Sequence, residues 1–120
     1  MRRVDASLLA SIIRELGCEG WLQAYVELVH AMPKQGTVSI ASFMKGAGII
    51  EGVLAGLQIP TTLVIPQRWQ KFMGVAKGKD AARARAAQLL PKYAGVFSRK
   101  KDDGRADAAL IALYGWRQVV

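Results

Sequence analysis

Two short stretches of this chain carry strand patterning, and they must cover the apolar faces of five helical stretches. In the run 21–29, Leu22, Ala24, Val26 and Leu28 alternate with Gln23, Tyr25, Glu27 and Val29, the period-two pattern of a strand. The second strand follows Pro60 and spans Thr61–Ile65. The remainder reads as helix and loop. Asp5 is an N-cap for a helix over 5–16, whose stripe is Leu8, Leu9, Ile12, Ile13 and Leu16 and whose stop is Gly17. His30–Thr37, with Met32-Pro33 and Gln35-Gly36, is a loop. A second helix, capped by Thr37 or Ser39, reaches about Leu57. Its Gly46, Gly48, Gly52 and Gly56 cost helix stability and permit close approach of another backbone.

Pro66 suits the first turn of a short helix, Gln67–Met73, before a flexible basic loop, Gly74–Lys79. Asp80 caps a helix over Ala81–Leu90 that Pro91 stops, and Lys92–Arg105 is an irregular segment. Asp102 or Asp103 opens the last helix, which runs to about Tyr114 and stops at Gly115. The order is α-β-α-β-α-α-α, an α/β pattern with too few strands, because a stable sheet normally needs three or more. The deficit predicts strands missed in the reading or absent from the chain.

At 120 residues the chain is the length of one domain and long enough to bury a core without disulfides. It has one cysteine, Cys18, read as structural, and one histidine, His30, read as a loop residue. That pair excludes an internal disulfide and a zinc cluster, and fits a reducing cytoplasm. No apolar run reaches the roughly 18 residues of a membrane span, and the N-terminus lacks the apolar core of a signal peptide. The net charge of +8 is localised. Between Pro66 and Arg105 stand eleven basic residues against Asp80, Asp102 and Asp103, while the rest of the chain nets zero. Charge concentrated in a third of a protein suggests a polyanion, nucleic acid first, against the plainer reading of a soluble basic surface.

Several residues point to chemistry. Glu27 lies in an otherwise apolar strand, where a carboxylate is costly unless paired, bound to a metal or exposed at a sheet edge. Asp103 and Asp107 are four apart and share one helix face, with Asp102 beside them. Helix capping explains Asp102 or Asp103 well and Asp107 less well, because Asp107 lies in the second turn. Three convergent acids in a basic surround are what two-metal phosphodiester cleavage needs. Lys79 is either a solvated lysine or a phosphate contact. Trp69, beside Arg68, is either a base-stacking or a core residue.

These residues resemble a known family. Val26-Glu27-Leu28-Val29-His30-Ala31-Met32-Pro33 looks like the second acidic motif of phage-type RuvC-like Holliday-junction resolvases. Pro66-Gln67-Arg68-Trp69 resembles their Pro-x-x-Trp segment, and Arg99 to Ala108, Arg-Lys-Lys-Asp-Asp-Gly-Arg-Ala-Asp-Ala, their basic twin-Asp motif. The Gly-rich stretch from Ser42-Phe43 to Gly56 fits the helix between. The resemblance implies a ribonuclease H-like mixed sheet flanked by helices, a single nuclease domain over 1–120, and a homodimer in the cytoplasm of a bacterium or phage-infected cell. It implies Mg²⁺- or Mn²⁺-dependent cutting of branched DNA, with no membrane partner. Carried over by position, Glu27, Asp103 and Asp107 are the catalytic metal ligands, with Asp102 an alternative to Asp103, and Lys79 is an active-site lysine. Lys45, Arg68, Lys71, Lys77, Lys79, Lys100 and Lys101 are the DNA contacts. The family's first aspartate, on a strand with a Gly-Ile-Asp-Pro-Gly-like motif, has no counterpart here, and the cap Asp5 is no substitute. The expectation is therefore a domain incomplete at its N-terminus, and the alternative is a catalytically impaired protein that binds junctions without cutting them.

Overall fold

The computed structural model describes residues 4–17, 22–28 and 36–119. Cys18, Trp21, Val29, His30 and the Met32-Pro33 turn lie outside the described residues. The elements are α1 (Ala6–Gly17), β1 (Ala24–Glu27), α2 (Thr37–Gly56), β2 (Thr61–Val64), α3 (Pro66–Phe72), α4 (Ala81–Leu89) and α5 (Asp103–Val119), with 3₁₀ segments at Pro91–Phe97 and Lys100–Asp102. Strands β1 and β2 form a two-stranded parallel sheet, joined through α2. No third strand occurs among the described residues. The chain divides into two compact units, Met1–Ala24 with Leu28–Leu63 and Tyr25–Glu27 with Val64–Val120.

In the first unit α1 packs on α2. Asp5 caps α1 as the sequence predicts: the Leu8 N–H donates to Asp5 Oδ1 at 3.0 Å, satisfying an amide that the helix leaves unpaired. The helix runs one residue further than predicted and includes Gly17. Its stripe is largely uncovered among the described residues, Leu8 being 58% and Leu16 68% exposed.

Helix α2 departs from expectation twice. Gly36, in extended conformation, is the cap residue rather than Thr37 or Ser39. Its glycines do not serve close backbone approach among the described residues: a Cβ on Gly48, Gly52 or Gly56 would meet nothing, and one on Gly46 would meet Val4 at an ordinary 3.5 Å. The helix ends as the Ile59 N–H reaches back to the Leu54 carbonyl at 3.0 Å, with Gln58 in the left-handed region.

The core of the second unit is Val64, Trp69, Met73, Ala86, Phe97, Ala106, Leu110, Ile111 and Tyr114. Pro66 opens α3, where its missing N–H costs nothing. Gly74, at φ +71°, turns the chain out of α3, and the Arg85 guanidinium lies over it while donating from Nε to the Met73 carbonyl at 2.7 Å. Asp80 precedes α4 but does not cap it with its side chain. It adopts φ +66°, and its carboxylate turns instead to the Arg83 guanidinium. The segment predicted as irregular is mostly 3₁₀ helix.

Gly115 does not stop α5, which continues to Val119. It is buried inside the helix against the Tyr25 ring, where a Cβ would stand 2.6 Å from Tyr25 Cγ. Glycine is used there for close approach of a ring, not for helix termination.

Candidate metal and nucleic-acid site

All the acidic candidates belong to the second unit. Glu27 is the last residue of β1 and is half-buried. Trp69, on α3, is fully buried, and its indole N–H donates to Glu27 Oε2 at 2.9 Å. A buried indole N–H needs an acceptor, and a half-buried carboxylate needs a donor. Each satisfies the other. Trp69 is therefore a core residue that holds an acid, and the base-stacking alternative is excluded by its burial.

Asp107 lies in the second turn of α5 and is half-buried. Its carboxyl is pushed up to about 6, first by burial, then by the negative charges of Glu27 and Asp103. The charges of Glu27 and Asp103 thus both act on Asp107. Asp103, exposed at the start of α5, accepts a hydrogen bond from Arg83 Nε at 3.2 Å. Arg83 also donates to the Ser98 carbonyl at 3.0 Å and the Phe97 carbonyl at 3.4 Å. Its pairing with Asp80, ahead of Asp103, holds its own proton more tightly than usual.

Asp102 has a different environment from its neighbour. It is 1% exposed. Its Oδ2 accepts from the Arg99 backbone N–H at 2.9 Å and from Arg99 Nε at 3.2 Å, and its Oδ1 accepts from Arg99 Nη2 at 3.0 Å. Arg105 Nη1 stands at 3.7 Å. Arg99 holds this carboxyl below the usual range, foremost by side-chain hydrogen bonding. Asp102 is thus spent on a local clamp that fixes the turn leading into α5, and both its oxygens are engaged.

Carboxylate oxygens are the hard donors that a divalent cation such as Mg²⁺ or Mn²⁺ takes. Among the described residues no three His, Cys, Asp or Glu side chains stand together closely enough to grip one ion. Glu27 is held by Trp69 and Asp103 by Arg83.

The predicted DNA contacts are all exposed: Arg68 and Lys71 on α3, Lys77 and Lys79 in the turn before α4, and Lys100 and Lys101 in the second 3₁₀ segment. None makes an ion pair among the described residues. Lys45 is exposed on α2, in the other unit. Sequence reasoning counted Arg83 and Arg99 only as charge. The i,i+3 pairings Asp80/Arg83 and Arg99/Asp102 were the available signal that both are structural anchors.

No helix of the described chain is long and apolar enough to cross a membrane. No family model matches the chain. Over 95 residues, 78% of its length, it is 35% identical to the chloroplastic Holliday junction resolvase MOC1 of Chlamydomonas reinhardtii, and it spans 11% of that protein's length.

Proposed function

We propose that the chain is a RuvC-like, ribonuclease H-like nuclease domain that cuts phosphodiester bonds at four-way DNA junctions with Mg²⁺ or Mn²⁺. The observation that carries the reading is the placement of three acids: Asp103 and the half-buried Asp107 one turn apart on α5, and Glu27, held by Trp69 at the end of β1, close enough for its charge to help raise the Asp107 carboxyl. Perturbed acids of this kind gather at functional sites. The likeness to a curated Holliday junction resolvase over most of the chain supports the same reading.

Glu27, Asp103 and Asp107 would hold the cation, which supplies an activated water and charge stabilisation for the leaving oxygen. The chain's own residues do the rest. Trp69 orients Glu27 through its indole N–H. The Asp102–Arg99 clamp fixes the start of α5 and with it the shared face of Asp103 and Asp107. Arg83 holds Asp103 and ties the start of α5 to α4. Lys79 meets the phosphate near the scissile bond, while Lys45, Arg68, Lys71, Lys77, Lys100 and Lys101 neutralise flanking phosphates. Two copies acting on opposite strands of a junction would make paired nicks, in the cytoplasm of a bacterium or phage-infected cell.

The test is a nicking assay on synthetic four-way junctions and matched linear duplexes with Mg²⁺ or Mn²⁺. Junction-selective product that disappears in Glu27→Gln and Asp107→Asn is expected. Metal-dependent product that survives both substitutions contradicts the reading. A second reading, junction binding without cleavage, is favoured by the lack of a three-ligand cluster among the described residues. It predicts junction binding that survives loss of the acids, with no metal-dependent product.

A further inference from the structure

Beside the buried Trp69, α3 presents an outer face of different chemistry. A groove of about 570 Å³ is lined by Ile65, Gln67, Arg68, Lys71 and Phe72. Phe72 is 51% exposed, yet its ring is not loose. It meets Tyr114 edge-to-face, with centroids 5.2 Å apart and planes at 89°. Tyr114 is buried and is itself braced by Tyr25 at 6.3 Å and 80°, and Tyr25 lies against Gly115. The chain of rings fixes a half-exposed aromatic surface in place.

Arg68 and Lys71 flank that surface, and neither makes an ion pair or side-chain hydrogen bond among the described residues. Among the described residues no acidic side chain lines the groove. A pre-positioned aromatic face with two unpaired cations matches a nucleobase whose neighbouring phosphates lie within reach of the cations. Self-association through this groove is disfavoured, because a two-fold contact here sets the same patch against itself and would oppose cation to cation.

We propose that this α3 groove receives an unpaired nucleobase displaced at the branch point, stacked on Phe72, with its flanking phosphates on Arg68 and Lys71. The inference deepens the nuclease reading and rests on its DNA partner. It gives α3 two jobs within one turn: the buried Trp69 holds the acid Glu27, and the half-exposed Phe72 holds a base at the surface.

The experiment uses a four-way junction carrying 5-iododeoxyuridine at the branch, and a single-stranded oligonucleotide carrying the same base, with the wild-type chain. Photocrosslinking followed by peptide mapping is expected to place the adduct on Phe72. Phe72→Leu, which keeps apolar bulk, is expected to lose the adduct and weaken binding to both probes about ten-fold. Arg68→Gln with Lys71→Gln leaves the buried side of α3 intact, and is expected to lower the salt dependence of binding by about two counterions. Melting temperatures identify any variant that fails to fold, and the double glutamine variant then decides. Adducts elsewhere, or equal binding and salt dependence in every folded variant, overturn the proposal. So does a wild-type dimer that Phe72→Leu dissociates, since the groove would then be an interface between copies. The single-stranded probe separates the two readings: adduct formation on Phe72 there, without junction cleavage, supports the groove while counting against the nuclease.

Discussion

The fully buried indole N–H of Trp69 donates to Oε2 of Glu27 across 2.9 Å, so a core residue of α3 sets the direction of the strand carboxylate.

Trp69→Phe keeps a ring in the core and removes the donor. The lost volume and hydrogen bond together should cost roughly 1–3 kcal/mol of stability. Divalent-cation affinity should fall several-fold, because Glu27 is no longer oriented. Glu27→Gln leaves an amide oxygen for Trp69 to donate to, so its melting temperature should stay near wild type while cation affinity is lost. Calorimetric titration with Mn²⁺, alongside thermal melts, separates the two outcomes.

Asp107 gives the protein an internal pH dependence. Its folded carboxyl titrates near 6, above the ordinary 3.8, so the folded state binds its proton more tightly than the unfolded chain does. The stability this contributes is complete below about pH 4 and is lost as pH rises through about 6. Asp107→Asn should therefore be more stable than wild type at neutral pH by about 1–2 kcal/mol, after discounting for solvent screening of a half-exposed group. The gap should close on acidification to about pH 4. Urea denaturation across that range measures it.

The neighbouring aspartates should behave oppositely. Asp102→Asn breaks a buried clamp on Arg99 and should lower the melting temperature by several degrees. Asp103 is exposed, and Arg83 keeps its carbonyl partners without it, so Asp103→Asn should melt close to wild type while losing cation affinity. Parallel melts and Mn²⁺ titrations of both variants check this.

Gly115→Ala forces a methyl group into the Tyr25 ring. Such overpacking should cost about 1–3 kcal/mol, and Tyr25→Leu in the same chain should recover part of it. Chemical denaturation of the single and double variants measures the coupling.

Much of this was readable from the residues, and what was missed has a physical reason. The α1 cap at Asp5, the Pro66 start of α3 and the strand carrying Glu27 follow from local chemistry: an oxygen for an orphan amide, a fixed φ, a period of two. Gly115 was misread as a stop because a glycine's role depends on what approaches it, and Tyr25 is ninety residues away. Asp80 was misread as a capping side chain because Arg83 competes for its carboxylate. The spacing of Asp103 and Asp107 was legible as one helix face, but spacing did not reveal that Asp102 is consumed by Arg99. Trp69 was open between core and surface until its burial and its bond to Glu27 decided it.

The most direct measurement is the titration of the Asp107 carboxyl by carbon NMR, with and without Mg²⁺. Without the ion, a midpoint near 6 is expected, falling in Glu27→Gln as a like charge is removed. With Mg²⁺ present, the wild-type midpoint should move down markedly, because a bound cation favours the ionised form. A midpoint in the ordinary carboxylate range, or one that Mg²⁺ does not move, would contradict a cation site built on Glu27, Asp103 and Asp107.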